Sequence, residues 1–233
     1  MTENVVIDAK EVVKVYDTGA VKVEALRGLN LSVAEGEMVS IMGPSGCGKT
    51  TLLNCLSGLD DITSGKVFVE SKDISKMSDN EKTDHRAQRM GFIFQAFNLL
   101  PVLTAAENVE LPLIVGGTGQ KEARAKAIEA LRLVDMENWM DHKPSELSGG
   151  QQQRVTIARS LVNDPAIIWA DEPTGNLDTE NSKQVMEILC RLSREKKKTI
   201  LVVTHDSTIG NMANRVIMMR NGIVEKTYTP AVH

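Results

Sequence analysis

The chain reads as an α/β fold built on a central, mostly parallel sheet, and three observations carry that reading. A glycine-rich loop, Gly43 to Thr50, stands between an apolar run and a helix start. Two further apolar runs, Ala166 to Asp171 and Thr199 to His205, are short enough for buried strands and end in ionisable side chains. Amphipathic stretches alternate with these runs, the order that lays helices over a parallel sheet.

Taken in order, Val5 to Leu31 and Lys66 to Glu70 form a β-rich part. Met38 to Met42 is a buried strand, and Thr51 to Leu56 begins the helix behind the glycine loop. Lys121 to Val134 sets Ile128, Leu131 and Val134 on one helical stripe, within a helical insertion spanning approximately residues 95–148. Gln151 to Val162 repeats the helical spacing with Val155, Ala158, Leu161 and Val162, and Thr179 to Arg194 does so with Val185, Ile188, Leu189 and Leu192. Arg220-Asn221-Gly222-Ile223 reads as a tight hairpin turn, because Asn-Gly supplies the positive φ angles such turns require. At 233 residues the chain is one domain, 1–233, with subdomains.

The loop Gly43, Pro44, Ser45, Gly46, Cys47, Gly48, Lys49, Thr50 fits G-x-x-x-x-G-K-[ST], in which glycines let consecutive backbone N–H groups wrap phosphates. Lys49 supplies charge for the β- and γ-phosphates, and the Thr50 hydroxyl is placed to ligate Mg²⁺. Thr51 continues into the helix whose N-terminus meets the anion. Asp171 and Glu172 end a strand on the side where open α/β sheets bind ligands. Neighbouring strand side chains point oppositely, so the two acids divide the work: Asp171 toward Mg²⁺, Glu172 toward the attacking water.

Leu147-Ser148-Gly149-Gly150-Gln151 opens the next helix, and this pentapeptide resembles the signature of ATP-binding cassette ATPases. The resemblance implies a P-loop NTPase (RecA-like) core with an antiparallel β subdomain and an inserted α-helical subdomain. It also implies ATP and Mg²⁺ as ligands and a homodimer in which Ser148, Gly149, Gly150 and Gln151 close on the partner's ATP. By the same likeness, Gln95 touches Mg²⁺ and senses the γ-phosphate, His205 contacts that phosphate and helps hold the water, and Tyr16 stacks on adenine. Gly175 to Asp178 is similar to the loop that communicates between two nucleotide sites, and Phe97 to Val102 to the docking surface for a membrane subunit. The run Ala170 to Thr179 is similar to ATPases of lipoprotein-release, macrolide-export and cell-division complexes. That implies integral membrane permease subunits as partners and ATP-driven export or extraction; the alternative is a regulatory ATPase switching a non-transporting partner in cell division. Trp169 departs from the aliphatic residue usual before the paired acids, and Gly175-Asn176 from a usual Ser-Ala.

Composition bounds the rest. No stretch approaches 18 uncharged apolar residues and the start lacks leader character, so the chain is expected in the cytoplasm, peripheral on the inner membrane face through its permease. Cys47, Cys55 and Cys190 show no metal spacing and are expected as reduced thiols, with Cys47 a small filler in the phosphate loop. A net charge of −4 gives no electrostatic footprint for nucleic acid. One cassette, with no room for a long coiled coil between Lys49 and Leu147, argues against chromosome-maintenance and translation ATPases.

Overall fold

A computed structural model describes residues 4–231. The first three residues, part of the start read above as lacking leader character, lie outside them. Strands β1 (Val5–Asp17) and β2 (Lys22–Ala34) open the chain, followed by β3 (Met38–Met42) and α1 (Lys49–Leu56). Next come β4 (Ser64–Val69), β5 (Lys72–Asp73), α2 (Asp79–Arg89) and β6 (Met90–Phe94). The helical part holds α3 (Ala105–Val115), α4 (Gln120–Leu133) and α5 (Gly149–Leu161). The chain closes with β7 (Ile167–Asp171), α6 (Thr179–Lys196), β8 (Thr199–Thr204), α7 (Ser207–Gly210), β9 (Arg215–Arg220) and β10 (Ile223–Tyr228).

Two sheets result. One is antiparallel, ordered β2-β1-β4-β5; the other is ordered β10-β9-β3-β8-β7-β6, parallel throughout except for the antiparallel edge strand β10. Every residue of β3 and β8 is buried, which explains why these strands run apolar rather than alternating, with Ser40 inside β3 and Thr199 and Thr204 at the ends of β8 as the exceptions. Alternate side chains feed two separate cores. Met38, Ile168, Ala170, Ile200 and Val202 join the core under α3 to α6. Val39, Ile41, Ile167, Trp169, Leu201 and Val203 join the one under α1 and the antiparallel sheet. Trp169 is fully buried there and is the largest such side chain, so the departure from an aliphatic residue fills the layer between the two sheets.

Between Gln95 and Ser148 lie the helices α3 and α4, and α5 packs on both. The turn at Asn221 and Gly222 has φ angles of 49° and 79° between β9 and β10, the paired positive values expected from Asn-Gly. All three cysteines are free and buried, and burial pushes the Cys55 thiol up to about 12. Among the described residues no helix is long and apolar enough to cross a membrane.

Candidate nucleotide site

The site is assembled at the carboxyl ends of β3, β7 and β8, adjacent strands of the parallel sheet. After β3 the chain turns through Gly43, Gly46 and Gly48, with φ of 153°, 76° and 102°. At Gly43 a Cβ would fall 2.2 Å from the Met219 carbonyl oxygen, and at Gly48 2.6 Å from that of Ala25. Only glycine fits either place. The loop is buttressed from behind, since the Gly222 N–H donates to the Cys47 carbonyl at 3.0 Å and the Arg27 N–H to that of Gly222 at 3.0 Å. Cys47, 5 % exposed, is held there through its backbone carbonyl.

Helix α1 begins at Gly48 with no side-chain cap and no acid in its first turn. Its leading amides are free to receive an anion. Lys49 is only 8 % exposed, and its ammonium donates to the carbonyls of Gly43 at 2.9 Å and Pro44 at 3.0 Å. The charge thus lies inside the loop. Thr50 Oγ1 donates to Asp171 Oδ1 at 3.0 Å. Burial is the main cause that raises the Asp171 pKa, reinforced by Glu172 and opposed by Thr50 and Lys49. A half-buried carboxylate beside a hydroxyl, with no cation salt-bridged to it among the described residues, is a donor set that fits a hard divalent ion.

Glu172 leaves the strand with φ of 47°, held by its N–H to the Val203 carbonyl at 2.9 Å. Its Oε1 lies 2.9 Å from His205 Nδ1. His205 stands just past β8, before Asp206, which caps α7 by accepting from Thr208 N at 2.8 Å. Carboxylate and imidazole so joined can hold or accept a proton from a water between them and a phosphate.

Gln95 follows β6 and faces a different partner. Its Nε2 donates to Asn176 Oδ1 at 3.2 Å, and Asn176 Nδ2 returns a bond to the Gln95 carbonyl at 2.9 Å. Gly175 is small for this contact, because a Cβ there would come 2.9 Å from Gln95 Nε2. Asp178 caps α6 through Asn181 N at 2.8 Å. Ser148 and Gln151 form a capping box on α5: Gln151 N donates to Ser148 Oγ at 3.3 Å and Ser148 N to Gln151 Oε1 at 2.8 Å. Gly150 packs against α6, where a Cβ would come 2.2 Å from Asn181 Oδ1 at the end of that side chain. Ser148 and Gln151 bond to each other and not to the phosphate loop, whereas Thr50 with Asp171 and Glu172 with His205 are brought together. Tyr16, 40 % exposed, donates its hydroxyl to Asp60.

Residues 26–175, which run from the buttress of the loop through the paired acids, match the ABC transporter family. The chain belongs to the ABC transporter family. As a member it is an ATP-binding and ATP-hydrolysing subunit of such a transporter. It is 45 % identical over 221 residues to the lipoprotein-releasing system ATP-binding protein LolD of Saccharophagus degradans, covering 95 % of this chain and 97 % of that one. It is 42 % identical to the macrolide export ATP-binding/permease protein MacB of Syntrophobacter fumaroxidans, over 94 % of this chain and 31 % of that longer one. A dimeric post-hydrolysis structure of the cassette MJ0796 bound to ADP and Pi, from Methanocaldococcus jannaschii, superimposes with a TM-score of 0.88 at 44 % identity. That superposition covers 97 % of this chain and 100 % of the solved one.

Several side chains that shape this ABC site carry no local signal. Gln153, fully buried on α5, donates to the Pro173 carbonyl at 2.6 Å, just past Glu172. Arg159 on the same helix donates to the carbonyls of Asn98 at 2.6 Å and Phe97 at 2.9 Å. Their partners lie 20 and about 60 residues away in sequence, beyond the reach of any periodicity.

Proposed function

We propose that two copies of this chain close around two ATP molecules and part when the terminal phosphates are cleaved, driving a membrane permease. The observation that carries this reading is the convergence of an uncapped helix N-terminus, the Thr50–Asp171 pair and the Glu172–His205 pair on one edge of the sheet. Loop amides of residues 43–48 and the Lys49 ammonium bind the phosphates. Thr50, Asp171 and, once released from Asn176, Gln95 would hold Mg²⁺, whose charge offsets that of the β- and γ-oxygens. Glu172 takes a proton from the attacking water as its oxygen bonds to the γ-phosphorus; the bond to the ADP oxygen breaks and its electron pair leaves with ADP. His205 fixes the Glu172 carboxylate and the γ-phosphate side of the water. The solved dimer of a cassette with TM-score 0.88 supports pairing. In the proposed pair, Ser148 to Gln151 of one copy face the partner's ATP.

For the permease, Phe97 to Val102 is the docking segment. Leu99 packs against the helical core, whereas Leu100 and Val102 are 44 % and 74 % exposed. Lipoprotein release and macrolide export by the relatives favour export or outer-leaflet extraction, with this chain peripheral on the cytoplasmic face.

Glu172→Gln tests the engine. General acid–base catalysis contributes roughly 10²–10⁴-fold, so turnover should fall by about that factor with ATP binding kept. Gel filtration with ATP should then show a dimer; monomers alone, or turnover near wild type, would overturn the reading. Leu100→Asp with Val102→Asp tests docking, by loss of a co-purified membrane subunit from an otherwise folded chain.

A further inference from the structure

Tyr16 is not a free-standing ring. Its hydroxyl donates to Asp60 Oδ2 at 2.7 Å, and the other oxygen of that carboxylate accepts from Lys14 Nζ at 2.6 Å. The same ammonium donates to the Asp61 carbonyl at 2.6 Å. Lys14 is 8 % exposed, and its Nζ lies over the face of the Tyr16 ring, 4.7 Å from the centroid. One face of the aromatic is therefore closed by a buried cation, at cation–π distance, and the 40 % exposure of the residue belongs to what remains. Asp60 itself is tied to the phosphate helix: it lies just past α1, and its N–H donates to the Asn54 carbonyl at 3.1 Å.

We propose that Asp60 is a positioning residue for the nucleotide base, clamping the Tyr16 ring against Lys14 so that the base stacks on the single open face at a fixed offset from the phosphate loop. The proposal rests on Tyr16 being the base platform. The physical gain is preorganisation: a ring held at its hydroxyl and one face loses little freedom when a ligand arrives. Because a π-face accepts any base, this device sets affinity and register without reading exocyclic groups. Asp60 is assigned no contact with the base.

The test uses the full chain, with ADP and GDP plus Mg²⁺ titrated calorimetrically, since diphosphates keep pairing of two copies out of the measurement. Tyr16→Phe keeps the ring and removes the hydroxyl; Asp60→Asn removes one acceptor. Each should weaken ADP about three- to tenfold, the value of one hydrogen bond. GDP should weaken by the same factor, and the double variant should be no worse than either single one. In turnover assays KM for ATP should rise by that factor with kcat at saturation unchanged, a split that a general loss of structure would not give. If Asp60→Asn fails to fold because Lys14 loses its partner, Tyr16→Phe, which leaves the Lys14–Asp60 pair in place, decides. Unchanged ADP affinity in Tyr16→Phe beside a weakened Tyr16→Ala would overturn the clamp and leave the platform standing. Unchanged affinity in Tyr16→Ala would remove the platform too. Loss of ADP binding alone, with GDP kept, would mean that Asp60 reads the base directly and would also overturn the proposal.

Discussion

Asp171 is held where its charge is least comfortable. Burial and the neighbouring Glu172 raise its pKa, and only Thr50 and Lys49 oppose them. Glu172 adds a left-handed backbone at φ 47°, which costs a non-glycine residue on the order of 1 kcal/mol. Both strains are concentrated at the reacting end of the sheet, the usual place for stability to be traded against activity. At neutral pH a raised carboxylate pKa means that ionisation opposes folding, so Asp171→Asn relieves a cost while keeping an oxygen for Thr50. We expect the nucleotide-free variant to melt at or above the wild-type temperature in scanning calorimetry, with ATP hydrolysis nearly abolished. A lower melting temperature would show that the carboxylate is structurally needed.

Among the elements, the loop between β6 and α3 is anchored from two helices. Asn108, completely buried in α3, donates to the carbonyls of Leu100, Leu103 and Thr104 and accepts from Leu100 N at 2.7 Å. Arg159 holds the preceding two carbonyls, with no acid salt-bridged to it among the described residues, and burial pulls its pKa down. Exposed Leu100 and Val102 are thereby displayed on a rigid base, close to the α5 helix that starts with the signature. Asn108→Leu leaves buried backbone groups unpaired, a cost of about 1–3 kcal/mol. Hydrogen exchange should speed up across residues 97–104 and stay slow in α4; protection unchanged at 97–104 would refute the anchoring role. None of this was readable beforehand. The capping box at Ser148 and Gln151 and the paired acids are local, so their spacing announces them. By contrast α2 has a single apolar residue, Ala87, among Asp79–Arg89, and α3 is apolar on most sides with Pro112 inside, so neither shows a stripe.

For the whole molecule, two groups far from the site contribute to acid sensitivity. His85 is buried, its Nε2 without a partner among the described residues, and burial first, then Lys72, lower its pKa below 6.5, with Glu70 opposing them and Arg89 adding the least. A histidine with a depressed folded pKa binds its proton more readily unfolded, so its contribution is complete above pH 6.5 and declines as pH falls toward the folded value. Glu70 behaves as a second step: the Arg89 guanidinium lowers its pKa from 4.5, so its contribution holds above 4.5 and is lost below. Urea midpoints across this range should fall in two stages, and His85→Leu should erase the upper stage alone. A variant with the wild-type profile would count against the assignment. A central parallel sheet of buried strands was legible from the apolar runs, because burial on both faces leaves that mark; the strand order was not, since it depends on crossovers far apart in sequence. Which side chain enters which core was not, since Trp169 and Ile168 differ only in the direction the pleat gives them.

The bare N-terminus of α1 has a thermodynamic corollary. Ser78, Thr104, Ser148 and Asp178 each cap their own helix, whereas the helix beginning at Lys49, like α4 behind Gly119, has no side-chain cap; in the proposed function the bound phosphates would take that place on α1. Occupancy at a hundredfold excess over the dissociation constant adds about 2.7 kcal/mol to resistance against unfolding. Depletion of cellular energy would thus leave a population of empty chains more open to proteolysis, making the lifetime of the protein itself a gauge of nucleotide supply.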